Sequence, residues 1–392
     1  MNIGMSKRLS SLPLYAFAEI GKKVEELKAL GITPIDFGVG DPSEPTPDFV
    51  IESLTSSARK HAKSGYPSYI GSTELRIAAS NYMKRRFGVV IDPEKEICTT
   101  IGSKEAIFNF PEGFIDPGDI VICPSPGYPP FRTGTIFAEG KPYYVPLLKE
   151  NGFLVDYAAI PEDICRKTKL IWLNYPNSPT GAIASREYYK GLIDWAHRHN
   201  IIIAADEGCY IDIYFDEKPP SILEVDREGI IAFYSLSKRN NMTGYRVGFV
   251  CGDENIVSIF KRLKTNVDSG VPHIIQDAAI AALGDDAHVE KMRASYREKR
   301  DLLLPALRKI GLEGDSAATF YLWQKVPGSD VEFAKKLLDP SLGIVVTPGS
   351  LISEVCEGGV NPGTGYVRFA LMPSLEEVRV AAGKLSLLRG RL

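Results

Sequence analysis

Six short apolar runs punctuate the middle of the chain: ICTTIG (97–102), IVICPSP (120–126), LIWLNYP (170–176), IIIAADE (201–207), IIAFYSLS (230–237) and RVGFVCG (246–252). Each is nearly continuous in apolar residues and ends on Gly, Pro, Ser or an acid. Strands buried on both faces have this pattern, which predicts a mainly parallel sheet covered by helices. The segments between them turn to helical periodicity, as in SREYYKGLIDWAHRHN (185–200), and that alternation predicts an α/β fold. Polar and glycine residues gather at the strand ends. Open α/β sheets bind ligands outside the carboxyl ends of their strands, so several motifs should converge on one crevice.

Beyond about residue 255 the pattern changes. NIVSIFKRLKT, HIIQDAAIAAL and HVEKMRASYREKRDLLLPALRKI read as helices, followed by shorter strands, TFYLWQKV, IVVTPGS and GYVRFALM, and a closing helix, SLEEVRVAAGKLSLL. This order predicts a second, smaller α+β domain. The 392 residues are 44% hydrophobic and 24% charged, an ordinary globular composition, and the formal net charge of −3 favours neither nucleic-acid nor membrane partners. No apolar run approaches the roughly 20 residues of a membrane span, and MNIGMSKRLSSLPLYAF lacks the apolar core of a cleavable leader. A cytoplasmic protein is expected. The six cysteines (98, 123, 165, 209, 251, 356) form no C-x-x-C pair, and the five histidines show no metal spacing that a carboxylate completes. No metal site is expected.

The most specific chemistry lies between Ser235 and Arg246, in SLSKRNNMTGYR. This run places the amine of Lys238, the hydroxyls of Ser235 and Ser237, and the guanidinium of Arg246 within reach of one small molecule. A lysine that forms a Schiff base needs its carbonyl partner held in register, and hydroxyls with an arginine fork suit a phosphate. The implied partner is pyridoxal 5′-phosphate, with a solvated loop lysine as the plain alternative. Together with Gly248, the run resembles the Ser-x-Ser-Lys…Arg-x-Gly element of the fold-type I, pyridoxal-phosphate-dependent class I/II aminotransferases. The resemblance covers nearly the whole chain. It implies a seven-stranded, mainly parallel mixed sheet in a large domain (45–285), an N-terminal arm that joins part of the small domain (1–44), and a C-terminal small domain (286–392).

The same resemblance assigns roles to separated residues. Ser103 and Lys104, at the start of a helical run, would cradle the phosphate at a helix N-terminus. Tyr128, in SPGYPPF, would stack on the pyridine ring. Asp206 would face the ring nitrogen and keep it protonated, as an electron sink requires. The tyrosine that normally follows this aspartate by three residues stands here at four, as Tyr210, which implies a small local bulge. Asn174-Tyr175-Pro176-Asn177-Ser178-Pro179-Thr180-Gly181 resembles the family's N-P-x-N-P-T-G loop, but Ser178 occupies the place of the donor to the cofactor's phenolic oxygen. Either that hydroxyl serves or the loop presents Asn177, whose amide reaches further. Tyr66 would cross to the phosphate of a neighbouring subunit, making a homodimer with composite sites. Arg368, in GYVRFALMPS, would bind the substrate α-carboxylate as a fork, with Gly40 and Tyr15 closing over the substrate.

These roles imply an enzyme that moves an amino group between an amino acid and a 2-oxo acid, with Lys238 carrying the α-proton. YPSYIGSTELR, PPSILEV, SLSKRNNMTGYRVGF, DSGVPHIIQDAAIAAL and ATFYLWQKVP look closest to bacterial N-succinyl-diaminopimelate and LL-diaminopimelate aminotransferases of lysine biosynthesis, with glutamate and 2-oxoglutarate as one pair. Aspartate, alanine and aromatic aminotransferases share the cofactor residues, and a C–S lyase would use the same Lys238. A distal carboxylate would need another cation, for which Lys104, Arg132 and Arg239 are candidates.

Overall fold

The computed structural model describes residues 1, 3–12 and 18–388. Its large sheet contains β1 (Ile97–Thr100), β2 (Ile120–Ser125), β3 (Lys141–Pro146), β4 (Thr168–Leu173), β5 (Ile202–Gly208), β6 (Ile230–Ser235) and β7 (Gly248–Gly252), in the order β1-β7-β6-β5-β4-β2-β3. Neighbours are parallel except β7, which runs antiparallel to both β1 and β6. All six apolar runs are strands of this sheet. The seventh, β3, carries Pro142 and Pro146, which suit it to the sheet edge, where only one side is paired.

Successive residues along the central strands face two different cores, which is why these strands do not alternate with polar residues. Trp172 and Phe233 pack with Phe110 and Phe131 on one face, where the Phe131 and Trp172 rings stack at 4.7 Å. Ile171, Ala205, Ala232 and Tyr234 face the other side, where Tyr234 stacks on Phe249 at 4.9 Å.

A separate core lies under the helix Ala287–Lys309 and an antiparallel sheet of Tyr321–Lys325, Tyr366–Ala370 and Thr347–Pro348. The chain start contributes to it: Ile35–Asp36 pairs in parallel with Ile344–Val345, and Phe37 is buried against Phe369. The segment from Gly38 to Asp41 then leaves this lobe at the level of Lys238, whose Nζ donates to the Gly40 carbonyl at 2.8 Å.

Beneath the Lys238 turn runs a buried ionic network. Asp212 accepts from Arg86 Nε at 2.7 Å, Arg239 Nε at 2.8 Å and the Tyr82 hydroxyl at 2.8 Å. Burial alone would raise its pKa, but Arg239 and Arg86 bring it down to about 2. Because the folded value lies below the unfolded one, this stabilisation is complete above about pH 4 and is lost as the pH falls through about 2. Removing one partner leaves buried guanidinium charge uncompensated. Asp212→Asn should therefore destabilise the fold by about 3–5 kcal/mol at pH 7, with a smaller difference near pH 2.5. Denaturant unfolding at the two pH values measures this, and a loss independent of pH would contradict the ionic account.

Candidate active site

The carboxyl ends of β5 and β6, the N-terminus of the helix Gly102–Asn109 and the edge of the smaller lobe meet around Lys238. Lys238 follows β6 directly, in the short helix Leu236–Arg239. Burial lowers its pKa, which favours the neutral amine a nucleophile or base needs. Its Nζ also lies 5.8 Å from the centre of the Phe320 ring.

At one end of the crevice the residues form an anion cradle. Ser235 and Ser237 are buried, and the Ser235 hydroxyl accepts from the Ser237 amide at 3.2 Å. Arg246 Nη1 donates to Ser237 Oγ at 3.3 Å and to the Thr243 carbonyl at 2.8 Å. Arg246 itself sits at φ 53°, a conformation that non-glycine residues adopt only at a cost. Gly102, at φ +72°, comes so close that a Cβ there would lie 2.5 Å from Arg246 Nη2, so the guanidinium can close on this helix N-terminus only over glycine. Ser103, the next residue, is buried, with its Oγ 3.5 Å from Cys209 Sγ. Lys104 is exposed and lines, with Arg246, Phe108 and Pro130, an open groove of about 510 Å³ on the outer side.

Among the buried polar atoms with no partner among the described residues, three belong to the other end: Asp206 Oδ1, Asn177 Nδ2 and Arg368 Nε. Unmatched buried groups are costly, and three around one crevice describe a ligand's complement. Asp206 ends the apolar run of β5, and its backbone carbonyl accepts from Asn174 Nδ2 at 2.8 Å. Burial raises its carboxyl to a pKa of about 7, opposed by the nearby Cys209 thiol. Asn177 turns its Oδ1 inward to the Thr180 hydroxyl at 2.8 Å, which leaves its amide nitrogen free to donate. Ser178 is instead tied by its backbone amide to Asn174 Oδ1 at 2.9 Å. Arg368 Nη2 donates to the Gly38 carbonyl at 2.8 Å and to Thr347 Oγ1 at 3.3 Å, and the guanidinium carbon lies 4.4 Å from the Tyr321 ring centre.

Tyr128 is half-buried at the N-terminus of the helix Pro129–Phe137, edge-on to Phe131 at 5.9 Å. Burial raises its hydroxyl pKa, with smaller electrostatic contributions from Cys209 and Asp206. The spacing anomaly at Tyr210 takes the form of a bulge: the β5–β6 register shifts between Asp206 and Gly208. Tyr210 packs its ring edge-on against Phe320 at 5.3 Å and Tyr321 at 5.8 Å. Tyr66 is 91% exposed on the protomer surface. Tyr15 lies outside the described residues.

One expectation needs correction. Arg239 cannot meet a distal carboxylate, because its guanidinium is spent on Asp212, Asn240 and Asp286 within the buried network. Glu162, Cys165 and His199 place potential ligand atoms within 4.8 Å of one another at the end of the sheet away from the crevice, a proximity that the histidine spacing does not reveal. Helix packing assembles it. Sequence reasoning missed Tyr321 and Cys209 as well. Tyr321 stands in an apolar strand run, and its hydroxyl would lie 1.8 Å from a Cβ at Gly40, so the two residues meet directly across the crevice.

A family model for class I and II aminotransferases matches residues 32–385. The chain belongs to that family. Among its relatives, the LL-diaminopimelate aminotransferase of Aquifex aeolicus is 47% identical over 391 residues, spanning 98% of this chain and 99% of its own. That of Halothermothrix orenii is 43% identical over 385 residues, spanning 96% and 97%. A solved aminotransferase from Neisseria meningitidis superimposes with a TM-score of 0.91 at 33% identity, over 98% of this chain and all of its own. The protein is a pyridoxal-phosphate-dependent aminotransferase. The unmatched Asp206 Oδ1 and Asn177 Nδ2 and the glycine-bounded cradle at Arg246 fit this cofactor. When bound, it supplies the electron sink on which transamination depends.

The raised pKa of Asp206 has a measurable consequence. Without cofactor the folded carboxyl holds its proton more tightly than the unfolded one, so stability is complete below about pH 4 and is lost as the pH rises through about 7. In the cofactor-free chain, Asp206→Asn should raise stability at pH 8 by on the order of 3 kcal/mol and leave it nearly unchanged at pH 4. Thermal unfolding at both values tests this, and an equal effect at both would rule it out.

Proposed function

We propose that this aminotransferase acts on LL-diaminopimelate in lysine biosynthesis, as a cytoplasmic homodimer with 2-oxoglutarate as acceptor. The observation that carries the substrate is the 47% identity, over 98% of the chain, to an enzyme named for that reaction. The composite dimer is favoured by Tyr66, a large aromatic that the protomer leaves exposed.

In this reading each unmatched atom has a partner. Asp206 faces the cofactor's ring nitrogen, and Asn177 donates through Nδ2 to its phenolic oxygen. The backbone amides of Ser103 and Lys104, the hydroxyls of Ser235 and Ser237, and Arg246 hold its phosphate, with Tyr66 from the second subunit. Tyr128 covers one face of the ring, and Tyr210 borders the phenolic side. Arg368 takes the substrate α-carboxylate on Nε and its free Nη1, with Nη2 braced by Gly38 and Thr347. Gly40 and Tyr15 close over the substrate. The Lys238 amine, with its pKa lowered by burial, takes the proton from the substrate α-carbon.

Two measurements test this. The cofactor-loaded enzyme is mixed with LL-diaminopimelate, its N-succinyl derivative, aspartate, alanine and aromatic amino acids, and conversion of the cofactor to its amine form is followed by absorption. LL-diaminopimelate should react with at least about tenfold higher kcat/KM than any other, equivalent to ~1.4 kcal/mol of transition-state binding. Faster reaction of the succinylated compound or of aspartate would reassign the substrate. Arg368→Ala should lower kcat/KM about 100-fold, as expected for a lost charged fork, while cofactor affinity stays within a few fold. Parallel loss of both would remove Arg368 from the carboxylate role.

A further inference from the structure

We propose that Tyr321 is a positioning residue for the substrate carboxylate: its ring sets the plane of the Arg368 guanidinium, and its hydroxyl end abuts Gly40, the residue that Lys238 touches. Strand register creates the first contact. Arg368 pairs across the sheet with Trp323, and Ala370 with Tyr321, so these four side chains share one face. Ala370 is too small to cover the ring opposite it. The longer Arg368 reaches diagonally onto that ring, with its guanidinium carbon 4.4 Å from the ring centre. Thr347, paired with Arg368 from the third strand, shares the face and accepts from Nη2 at 3.3 Å.

Tyr321 is itself held on several sides. It is buried, and its ring meets Phe320 edge-on at 4.7 Å and Tyr210 at 5.8 Å. Its amide donates to Thr319 Oγ1 at 3.0 Å, and Thr319 stands at φ 68°, a region that β-branched residues seldom occupy. At the far end, a Cβ on Gly40 would lie 1.8 Å from the Tyr321 hydroxyl, and the Gly40 carbonyl accepts from Lys238 Nζ at 2.8 Å. The ring therefore fills the space between the carboxylate fork and the chain segment beside Lys238. Gly38 and Thr347 hold Nη2 at the guanidinium edge, and the ring restrains its face. Nε, buried and without a partner among the described residues, stays available to a planar carboxylate.

This inference rests on the carboxylate role proposed for Arg368, and the test separates the two. Single-turnover conversion of the cofactor-loaded, full-length enzyme is measured with each of LL-diaminopimelate, L-glutamate, L-aspartate, L-alanine and aromatic amino acids that the wild type converts. Tyr321→Leu should raise the half-saturating concentration about tenfold, the weight of one desolvated cation–ring contact, with the limiting rate within about threefold and cofactor affinity within about twofold. The rise should be the same for every amino acid, because all share the α-carboxylate. Tyr321→Phe, which keeps the ring, should stay within about twofold of wild type. In the Arg368→Ala background the effect of Tyr321→Leu on kcat/KM should fall below about twofold. If Tyr321→Leu does not fold, pentafluorophenylalanine incorporated at position 321 keeps the ring but withdraws its electrons, and it should raise half-saturation about threefold over Tyr321→Phe. If Arg368→Ala leaves half-saturation unchanged, the underlying assignment of Arg368 fails. If Arg368→Ala raises it while the Tyr321 variants do not, or if Tyr321→Leu acts equally in both backgrounds or on the limiting rate alone, the role of Tyr321 is overturned.

Discussion

A carboxylate held in the core with one oxygen unmatched is the constraint around which this site is built. Asp206 occupies the end of the central strand β5, where water cannot reach it, and burial drives its proton affinity to near neutrality. Left alone, such a group weakens the fold. It becomes an asset when a protonated ring nitrogen supplies the missing charge, because a close ion pair is strong where water is excluded. The same logic extends to the Asn177 amide and the Arg368 guanidinium, each with a buried nitrogen that meets no acceptor among the described residues. The site is therefore shaped by unmet hydrogen bonds as much as by made ones.

The rest of the fold keeps these atoms where they are. A sheet buried on both faces fixes the strand ends bearing Asp206 and Ser235, and the stacked pairs Phe131–Trp172 and Tyr234–Phe249 leave it little freedom to shift. Below, Arg239 ties the residue beside Lys238 to Asp212, so the lysine leaves a rigid turn. The smaller lobe brings Arg368 and Tyr321 from its own sheet, and the chain between Gly38 and Asp41 bridges the lobes through the Lys238–Gly40 hydrogen bond. In the proposed reading, cofactor chemistry rests on one lobe and carboxylate recognition on the edge of the other.

Much of this was legible along the chain because its signals are local. The continuous apolar runs mark the central strands, and the spacing from Ser235 through Lys238 to Arg246 carries the cradle. The extra residue before Tyr210 marks the bulge. Other features escaped because they depend on contacts distant in sequence. The edge strand β3, broken by two prolines, resembles a loop. Arg239 has the charge a distal carboxylate would need, but only the folded chain shows that Asp212 and Asp286 consume it. The choice between Asn177 and Ser178 turns on which side chain the Thr180 hydroxyl engages, which spacing cannot encode.

The central claim, that Asp206 is kept buried in order to hold a protonated cofactor ring, is tested most directly by nitrogen-15 NMR of the enzyme loaded with ring-labelled pyridoxal phosphate. Asp206 opposite the ring predicts a shift typical of a protonated pyridine nitrogen at pH 8, well above the range in which the free cofactor keeps that proton. A shift typical of an unprotonated ring nitrogen at that pH would contradict it.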